Sequence, residues 1–547
     1  MSSLLIYVII HYFYSFTLLP RSVIFIDLIV CTSLVCFSRL GIRLFFIQAI
    51  GFISNENPSV KKVLIIGAGD TGQTMARQIL QKTDQNIRLV GFVDDDVKKI
   101  GHRLHGIPVY GPINSISNQK ITFDEIFICV PSSTRPQMRY IVSACKNTNK
   151  PFKTLPSLSN LIDGKDTISQ LRDVSINDLL GREEIQLDKN SIRNLVFGKR
   201  VLITGSGGSI GSELVRQCIV FNPSVLIMID NSELNLFEIE RECLNINSNI
   251  LFKPVLCDIR DNFLIKELFD EFKPQIVFHA AAYKHVPIQE KFPWEAVKTN
   301  VFGTLNLVNS SIQNKVEKFV LVSTDKAVKP VNVMGATKRL AELITQSYNK
   351  LHNSTAFIAV RFGNVLGSSG SVIPIFKEQI KAGGPVTVTD PEMERYFMSI
   401  PEASQLILQA GALGDEGEIF ILDMGDPIKI LDLASDLIRL SGYDTEDIPI
   451  RITGVRPGEK KTEELSNSSE NFDRTKHEKI FVLSNSQLSE EGYSTIIPSI
   501  EKLKERMDEL NPVKVRSMLA SVLSEYKPGA DLVSESFKIN KEENAKA

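Results

Sequence analysis

A short apolar segment that runs into a glycine-rich loop and then into a helical pattern occurs twice in this chain. The first is Lys62-Val-Leu-Ile-Ile-Gly67, continuing through Gly69 and Gly72 into a helical pattern over Gln73 to Leu80. The second is Arg200-Val-Leu-Ile-Thr-Gly205, continuing as Gly205-Ser-Gly-Gly208-Ser209-Ile210-Gly211 into Ser212-Glu-Leu-Val-Arg-Gln. A run that short and that apolar reads as a buried parallel strand. Glycines directly after it let backbone N–H groups approach a pyrophosphate at a helix N-terminus. With strand before and helix after, the loops predict two tandem Rossmann-like, doubly wound α/β units.

The second unit goes on delivering suitable residues at strand ends. Val225-Leu-Ile-Met-Ile-Asp230 ends in an acid placed to accept from adenosine ribose hydroxyls, which favours NAD over a 2′-phosphorylated cofactor. Cys257-Asp258-Ile259 ends a third strand near the adenine side, and Ile276-Val-Phe-His279-Ala280-Ala281 ends a fourth with small residues beside the cofactor. The first unit has Asp94-Asp95-Asp96 at the matching place and no catalytic cluster up to about Lys153, so it reads either as a second nucleotide site or as a structural or regulatory module.

The chain has 547 residues, with 62 Lys+Arg against 64 Asp+Glu and a net charge of −2, which gives no electrostatic ground for a nucleic-acid partner. Seven scattered cysteines without a C-x-x-C pair argue for a reducing compartment and against a metal site. Charge is uneven: Met1 to Ile53 carries only Arg21, Asp27, Arg39 and Arg43. Leu4–Leu19 and Val23–Phe37 are apolar runs parted by Pro20-Arg21-Ser22, and they read as a membrane hairpin or two thin spans contacting lipid, or as a buried helical pair. Cations after the second run place the remainder in the cytoplasm, at a bacterial inner membrane. The expected order is an anchor over 1–53, a first Rossmann-like unit over 60–150, a connector over 151–198, a catalytic unit with a small substrate lobe over 199–526 and a disordered tail over 527–547.

Further segments sharpen the reading: His279-Ala-Ala-Ala-Tyr-Lys284-His-Val-Pro, Lys298-Thr-Asn300, Ser323-Thr324-Asp325-Lys326-Ala-Val, Asn332-Val-Met334-Gly-Ala-Thr-Lys338, Arg361-Phe-Gly-Asn364-Val-Leu-Gly, Tyr396-Phe-Met-Ser-Ile-Pro-Glu-Ala403 and Arg456-Pro-Gly-Glu459-Lys460. Together they resemble the extended short-chain dehydrogenase/reductase family, and within it the membrane-bound nucleotide-sugar 4,6-dehydratases that act on UDP-N-acetylglucosamine. The resemblance implies NAD, a UDP-sugar substrate, retention at C5 and a homo-oligomer. It assigns Asp325 as the acid for the sugar 6-hydroxyl and Lys326 as the base at C5. Thr324 reads as the partner of the 4-hydroxyl in place of the missing tyrosine, with Ser323 the adjacent alternative; Lys338 reads as holding the nicotinamide ribose, and Met334 as lying either over the sugar or in the core. Where this superfamily usually has Tyr-x-x-x-Lys the chain has Met334-Gly-Ala-Thr-Lys338, and a thioether cannot accept a proton. Arg361, Arg395 and Arg456 are the cations expected at the diphosphate, because guanidinium pairs phosphate bidentately. Lys284, Asn364 and Glu459 complete the substrate set, and Asn300 reads as ordering the backbone. The competing readings are a nucleotide-sugar 4-epimerase and a membrane-tethered nucleotide-sugar sensor.

Overall fold

The computed structural model describes residues 26, 29–42, 60–81, 86–118, 121–155, 171–174, 178, 186–246, 249–351, 354–415, 417–466, 472–483, 490–508 and 510–528. These fall into two compact units, 1–132 with 140–173 and 133–139 with 174–547.

In the first unit, five parallel strands lie in the order Ile107–Tyr110, Ile87–Val93, Lys61–Ile66, Glu125–Ile128, Phe152–Thr154, with an antiparallel two-residue strand at each edge. The glycine loop leads from Lys61–Ile66 into the helix Asp70–Gln81, whose buried face is Gly72, Met75, Ala76 and Ile79. The described parts of the expected connector over 151–198 join one or the other unit. Phe152–Thr154 and Arg172–Asp173 are strands of this first sheet, while the helix Lys189–Val196 buries Ile192, Leu195 and Val196 in the second unit.

The second unit is built on a nine-stranded sheet. Its seven parallel strands run Leu251–Leu256, Val225–Asp230, Arg200–Thr204, Ile276–His279, Lys318–Val322, Ala356–Arg361, Ile419–Leu422, and the antiparallel Ile480–Leu483 and Phe472–Arg474 close one edge. Successive side chains of a strand point to opposite faces, and both faces here are apolar. Leu202, Ile227, Val277, Phe319 and Phe357 join one buried cluster; Val201, Ile203, Met228, Phe278, Val320 and Ile358 join the other. Truncating a ring such as Phe319 would cost ~3–5 kcal/mol. The strand order reverses between Arg200–Thr204 and Ile276–His279, and ligands of open α/β sheets bind outside the strand ends at that point.

Of the N-terminal segment, residues 29–42 are helical, and Leu34, Phe37 and Leu40 are exposed. Among the described residues no helix is long and apolar enough to cross a membrane, so the two expected spans are not supported. The first apolar run, Leu4–Leu19, and the tail from residue 529 lie outside the described residues.

Candidate active site

At the switch point, Gly205 takes φ +64°, and the helix Ser209–Val220 starts directly behind it with Gly208 as an N-cap that offers no side-chain acceptor. A Cβ on Gly211 would lie 1.9 Å from the Gly205 carbonyl oxygen, so only glycine lets the helix close on the loop. Asp230 Oδ2 accepts from the Gly207 N–H at 2.9 Å and Oδ1 from the Ser232 N–H at 2.9 Å, which fixes the carboxylate at the rim of the loop. Ser206 Oγ is buried and has no hydrogen-bond partner among the described residues. An uncapped helix start, a glycine cradle and a fixed acid suit a dinucleotide. Ala280 and Ala281 line the neighbouring strand end, and a Cβ on Gly205 would meet the Ala281 backbone at 2.9 Å. Two residues expected at the cofactor also have partners within the protein. The Asp258 carboxylate is paired with Arg260 at 2.6 Å, and the Ile259 side chain belongs to the core.

The strand Lys318–Val322 is followed by Ser323 and Thr324 and then by the 3₁₀ turn Asp325–Ala327. Asp325 N–H donates to the Phe362 carbonyl at 3.0 Å, tying the turn to the neighbouring strand. Thr324 Oγ1 donates to Asp325 Oδ1 at 2.8 Å, and Lys326 Nζ donates to the same oxygen at 3.0 Å and to Asn364 Oδ1 at 3.3 Å. The Asp325 side chain is 0% exposed, yet its Oδ2 has no partner among the described residues. Burial pulls the Lys326 ammonium down, but attraction from Asp325 and Glu463 outweighs it and holds the group above its ordinary value. The helix Val333–Leu351 packs on this turn so closely that a Cβ on Gly335 would fall 2.2 Å from the Lys326 carbonyl oxygen. That helix carries Met334 and Lys338, both buried. Burial pushes the Lys338 ammonium down to about 8, with Glu342 pulling the other way.

Two of the three arginines expected at the diphosphate are committed elsewhere. Arg361 is 1% exposed and pairs with Glu342, Nε to Oε1 and Nη2 to Oε2, both at 2.8 Å. Glu342 also accepts from Ser323 Oγ at 2.6 Å and from Arg339 at 3.1 Å. Burial alone would raise its carboxyl; Arg361 and Arg339 hold it at about 2. Arg395 donates to the carbonyls of Glu394 at 2.7 Å, Lys461 at 2.8 Å and Lys460 at 2.7 Å, so it clamps a loop rather than a phosphate. Arg456 and Lys284 are exposed, and Glu459 Oε2 accepts from the Arg456 N–H at 3.4 Å.

Asn300 orders backbone as expected: Oδ1 accepts from Tyr283 N–H at 2.8 Å while Nδ2 donates to the Tyr283 carbonyl and to Thr337 Oγ1, each at 3.0 Å. It sits in a π-helical turn, Val297–Gly303. His279 lies between Thr204 Oγ1 at 2.8 Å and Thr304 Oγ1 at 2.9 Å. Thr304 Oγ1 donates to the Asn300 carbonyl, so His279 Nε2 donates to Thr304 and Nδ1 accepts from Thr204. Burial, helped by Lys338, pushes this imidazole down to about 3, which keeps it neutral. Sequence reasoning missed Glu342, His279 as a bridge, and Glu463, which lies 3.7 Å from Lys326. Only Glu463 left a local trace, as the acid three positions after Lys460 in the Arg456-Pro-Gly-Glu459-Lys460 run.

Residues 201–485, more than half of the chain, match the family model described as polysaccharide biosynthesis protein. The chain belongs to that family. Residues 1–156 match a second model, described as a CoA-binding domain. Among relatives of the polysaccharide biosynthesis family, the probable polysaccharide biosynthesis protein EpsC of Bacillus subtilis is 48% identical over 422 residues, 76% of this chain and 70% of that protein. The capsular polysaccharide biosynthesis protein CapD of Staphylococcus aureus is 44% identical over 445 residues, 81% of this chain and 74% of that protein. A UDP-glucose 4-epimerase of Rickettsia canadensis is 38% identical over 278 residues, 50% of this chain and 79% of that protein.

Proposed function

We propose that this chain is a NAD-dependent nucleotide-sugar 4,6-dehydratase that converts UDP-N-acetylglucosamine to the 4-keto-6-deoxy sugar with retention at C5, for surface polysaccharide synthesis. The observation that carries the reading is the buried Asp325–Lys326 pair at a strand end, with the Asp325 Oδ2 unclaimed. Gly205, Ser206, Ser209, Ile210, Gly211 and Asp230 would hold NAD, with Lys338 at its nicotinamide ribose; when bound, it supplies an acceptor and then a donor of hydride at C4 and C6.

The chain's own residues handle protons. Thr324 faces the sugar 4-hydroxyl in place of the tyrosine that Met334 replaces, and its 2.8 Å bond to Asp325 gives the 4-hydroxyl proton a path to that carboxylate. Asp325 hands the proton to the departing 6-hydroxyl, which leaves as water. Once Asp325 is protonated its attraction for the ammonium is gone, and Lys326, acting as the neutral amine, takes the C5 proton and later returns it to the same carbon. Positioned acid–base groups of this kind are each worth roughly 10²–10⁴ in rate. Arg456, Lys284, Asn364 and Glu459 are the groups left for substrate once Arg361 and Arg395 are committed elsewhere.

The relationship to UDP-glucose 4-epimerases supports a second reading, 4-epimerisation, which needs no acid–base pair for C5 and C6. Incubating the full-length chain with UDP-N-acetylglucosamine and NAD separates the two by mass spectrometry and NMR. Loss of one water, a 4-keto-6-methyl product and no net NADH are expected, and the C5 proton couplings report retention. An unchanged mass with an inverted C4 would give the case to the epimerase.

A further inference from the structure

If Lys326 takes the C5 proton, the groups around its amine decide how the proton is received and kept. Three charged groups face it. Asp325 comes from its own turn at 3.0 Å, Glu463 from the loop after the strand Ile450–Ile452 at 3.7 Å, and Arg395 from the two-residue strand Glu394–Arg395. The neutral Asn364 Oδ1 lies at 3.3 Å. The Glu463 side chain is 3% exposed, and its Oε2 has no hydrogen-bond partner among the described residues. A buried carboxylate left half-satisfied is destabilising, so a bland structural purpose must repay that cost.

It does not need to. The loop is already sewn down without Glu463. Arg395 grips the carbonyls of Lys460 and Lys461, Lys460 Nζ donates to the Val328 carbonyl at 2.9 Å, and Asn332 Nδ2 donates to the Gly458 carbonyl at 2.9 Å. The next residue, Glu464, pairs at the surface with Lys329 at 3.0 Å. These contacts deliver Glu463 to the side of Lys326.

We propose that Glu463 is a positioning residue of the dehydratase: it fixes the Lys326 amine between two carboxylates, so that the C5 proton is received, stored and returned there. The inference rests on the dehydratase reading above. The balance is simple. As the C5–H bond breaks, its proton forms a new N–H on Lys326 and its electron pair becomes the C5–C6 double bond. The C6–O bond breaks with the Asp325 proton leaving as part of water. At that instant Asp325 and Glu463 are both carboxylates and Lys326 is the ammonium between them, an arrangement that neutral Lys326 beside protonated Asp325 does not require.

The test compares the full-length chain with Glu463→Gln and Glu463→Asp, measuring kcat, KM and the pH profile of kcat. Glu463→Gln is expected to lower kcat by roughly 10–100-fold with KM nearly unchanged, the size of effect that groups orienting a primary ligand have. Its alkaline limb should move to lower pH by about one unit, because one carboxylate no longer holds the proton on the pair. Glu463→Asp should restore the wild-type limb even where kcat is reduced, and it carries the test if the Gln variant fails to fold. An unshifted limb with unchanged kcat, or a loss of kcat that only tracks a lower melting temperature, overturns the role of Glu463. A wild-type chain that binds UDP-N-acetylglucosamine and yields no dehydrated sugar overturns the dehydratase reading itself, and the role of Glu463 with it.

Discussion

Ser323 and Thr324 are neighbours in the chain, yet they serve two different buried charge clusters. Ser323 donates to Glu342, whose oxygens are further claimed by Arg361 and Arg339, while Arg339 also reaches Glu525 at 3.2 Å. Thr324 donates to Asp325 in a cluster where Asp325 Oδ2 and Glu463 Oε2 have no partner among the described residues. The carboxylates at the centre of both clusters, Glu342 and Asp325, are fully buried. Saturation distinguishes them: the first uses its charges on one another, and the second keeps lone pairs in reserve. A buried unclaimed oxygen is costly, and strain of that kind is tolerated where a ligand will relieve it.

Four measurements break or sharpen this contrast. Asp325→Asn should reduce turnover by roughly 10³ while UDP-sugar affinity by calorimetry stays within a few-fold, as expected for a group used in the transition state. Persistent turnover would put Asp325 with the structural cluster. Glu342→Gln removes the negative charge that balances the buried Arg361 and Arg339, so urea unfolding should show a loss of about 3–5 kcal/mol. A loss below about 1 kcal/mol would mean that the saturated cluster is no more structural than the other.

Lys338→Met should lower turnover by roughly 10² and raise the melting temperature of the cofactor-free chain at pH 7. The sign follows from its low value of about 8 in the fold. Between pH 8 and the ordinary lysine value the unfolded chain holds a proton that the folded chain has given up, so wild-type stability rises with pH across that window and is lowest below it. A melting temperature with the same pH slope in the variant would remove Lys338 from the account. Smallest, Arg456→Ala should raise KM about tenfold with kcat little changed, because a diphosphate contact made equally in ground and transition states affects binding alone. No change in KM would leave the diphosphate to other groups.

Much of this architecture was legible in the sequence because its signals are local. The two glycine loops are announced by the apolar strands before them, and Thr324–Lys326 is announced by its place directly after Phe319-Val-Leu-Val. Arg361 and Arg395 read as phosphate ligands because a guanidinium looks the same whether it faces solvent or a helix. Only the fold shows that Glu342, on the helix Val333–Leu351, reaches the end of the strand Ala356–Arg361. Glu463 left a trace beside Lys460, but its link to Lys326 spans two loops far apart in the chain and shows only in the fold.

The π-helical turn at Val297–Gly303 has an evolutionary corollary. Such a turn is an α-helix carrying a surplus residue, and here the surplus aims Asn300 at both backbone groups of Tyr283. Excising one residue from it would give a smoother, better-bonded helix and swing the amide roughly 100° around the axis, away from that strand end. The most conformationally comfortable descendant of this segment would therefore be the one that misplaces Tyr283, and a lineage that keeps the irregular turn is paying regularity to keep a loop in register.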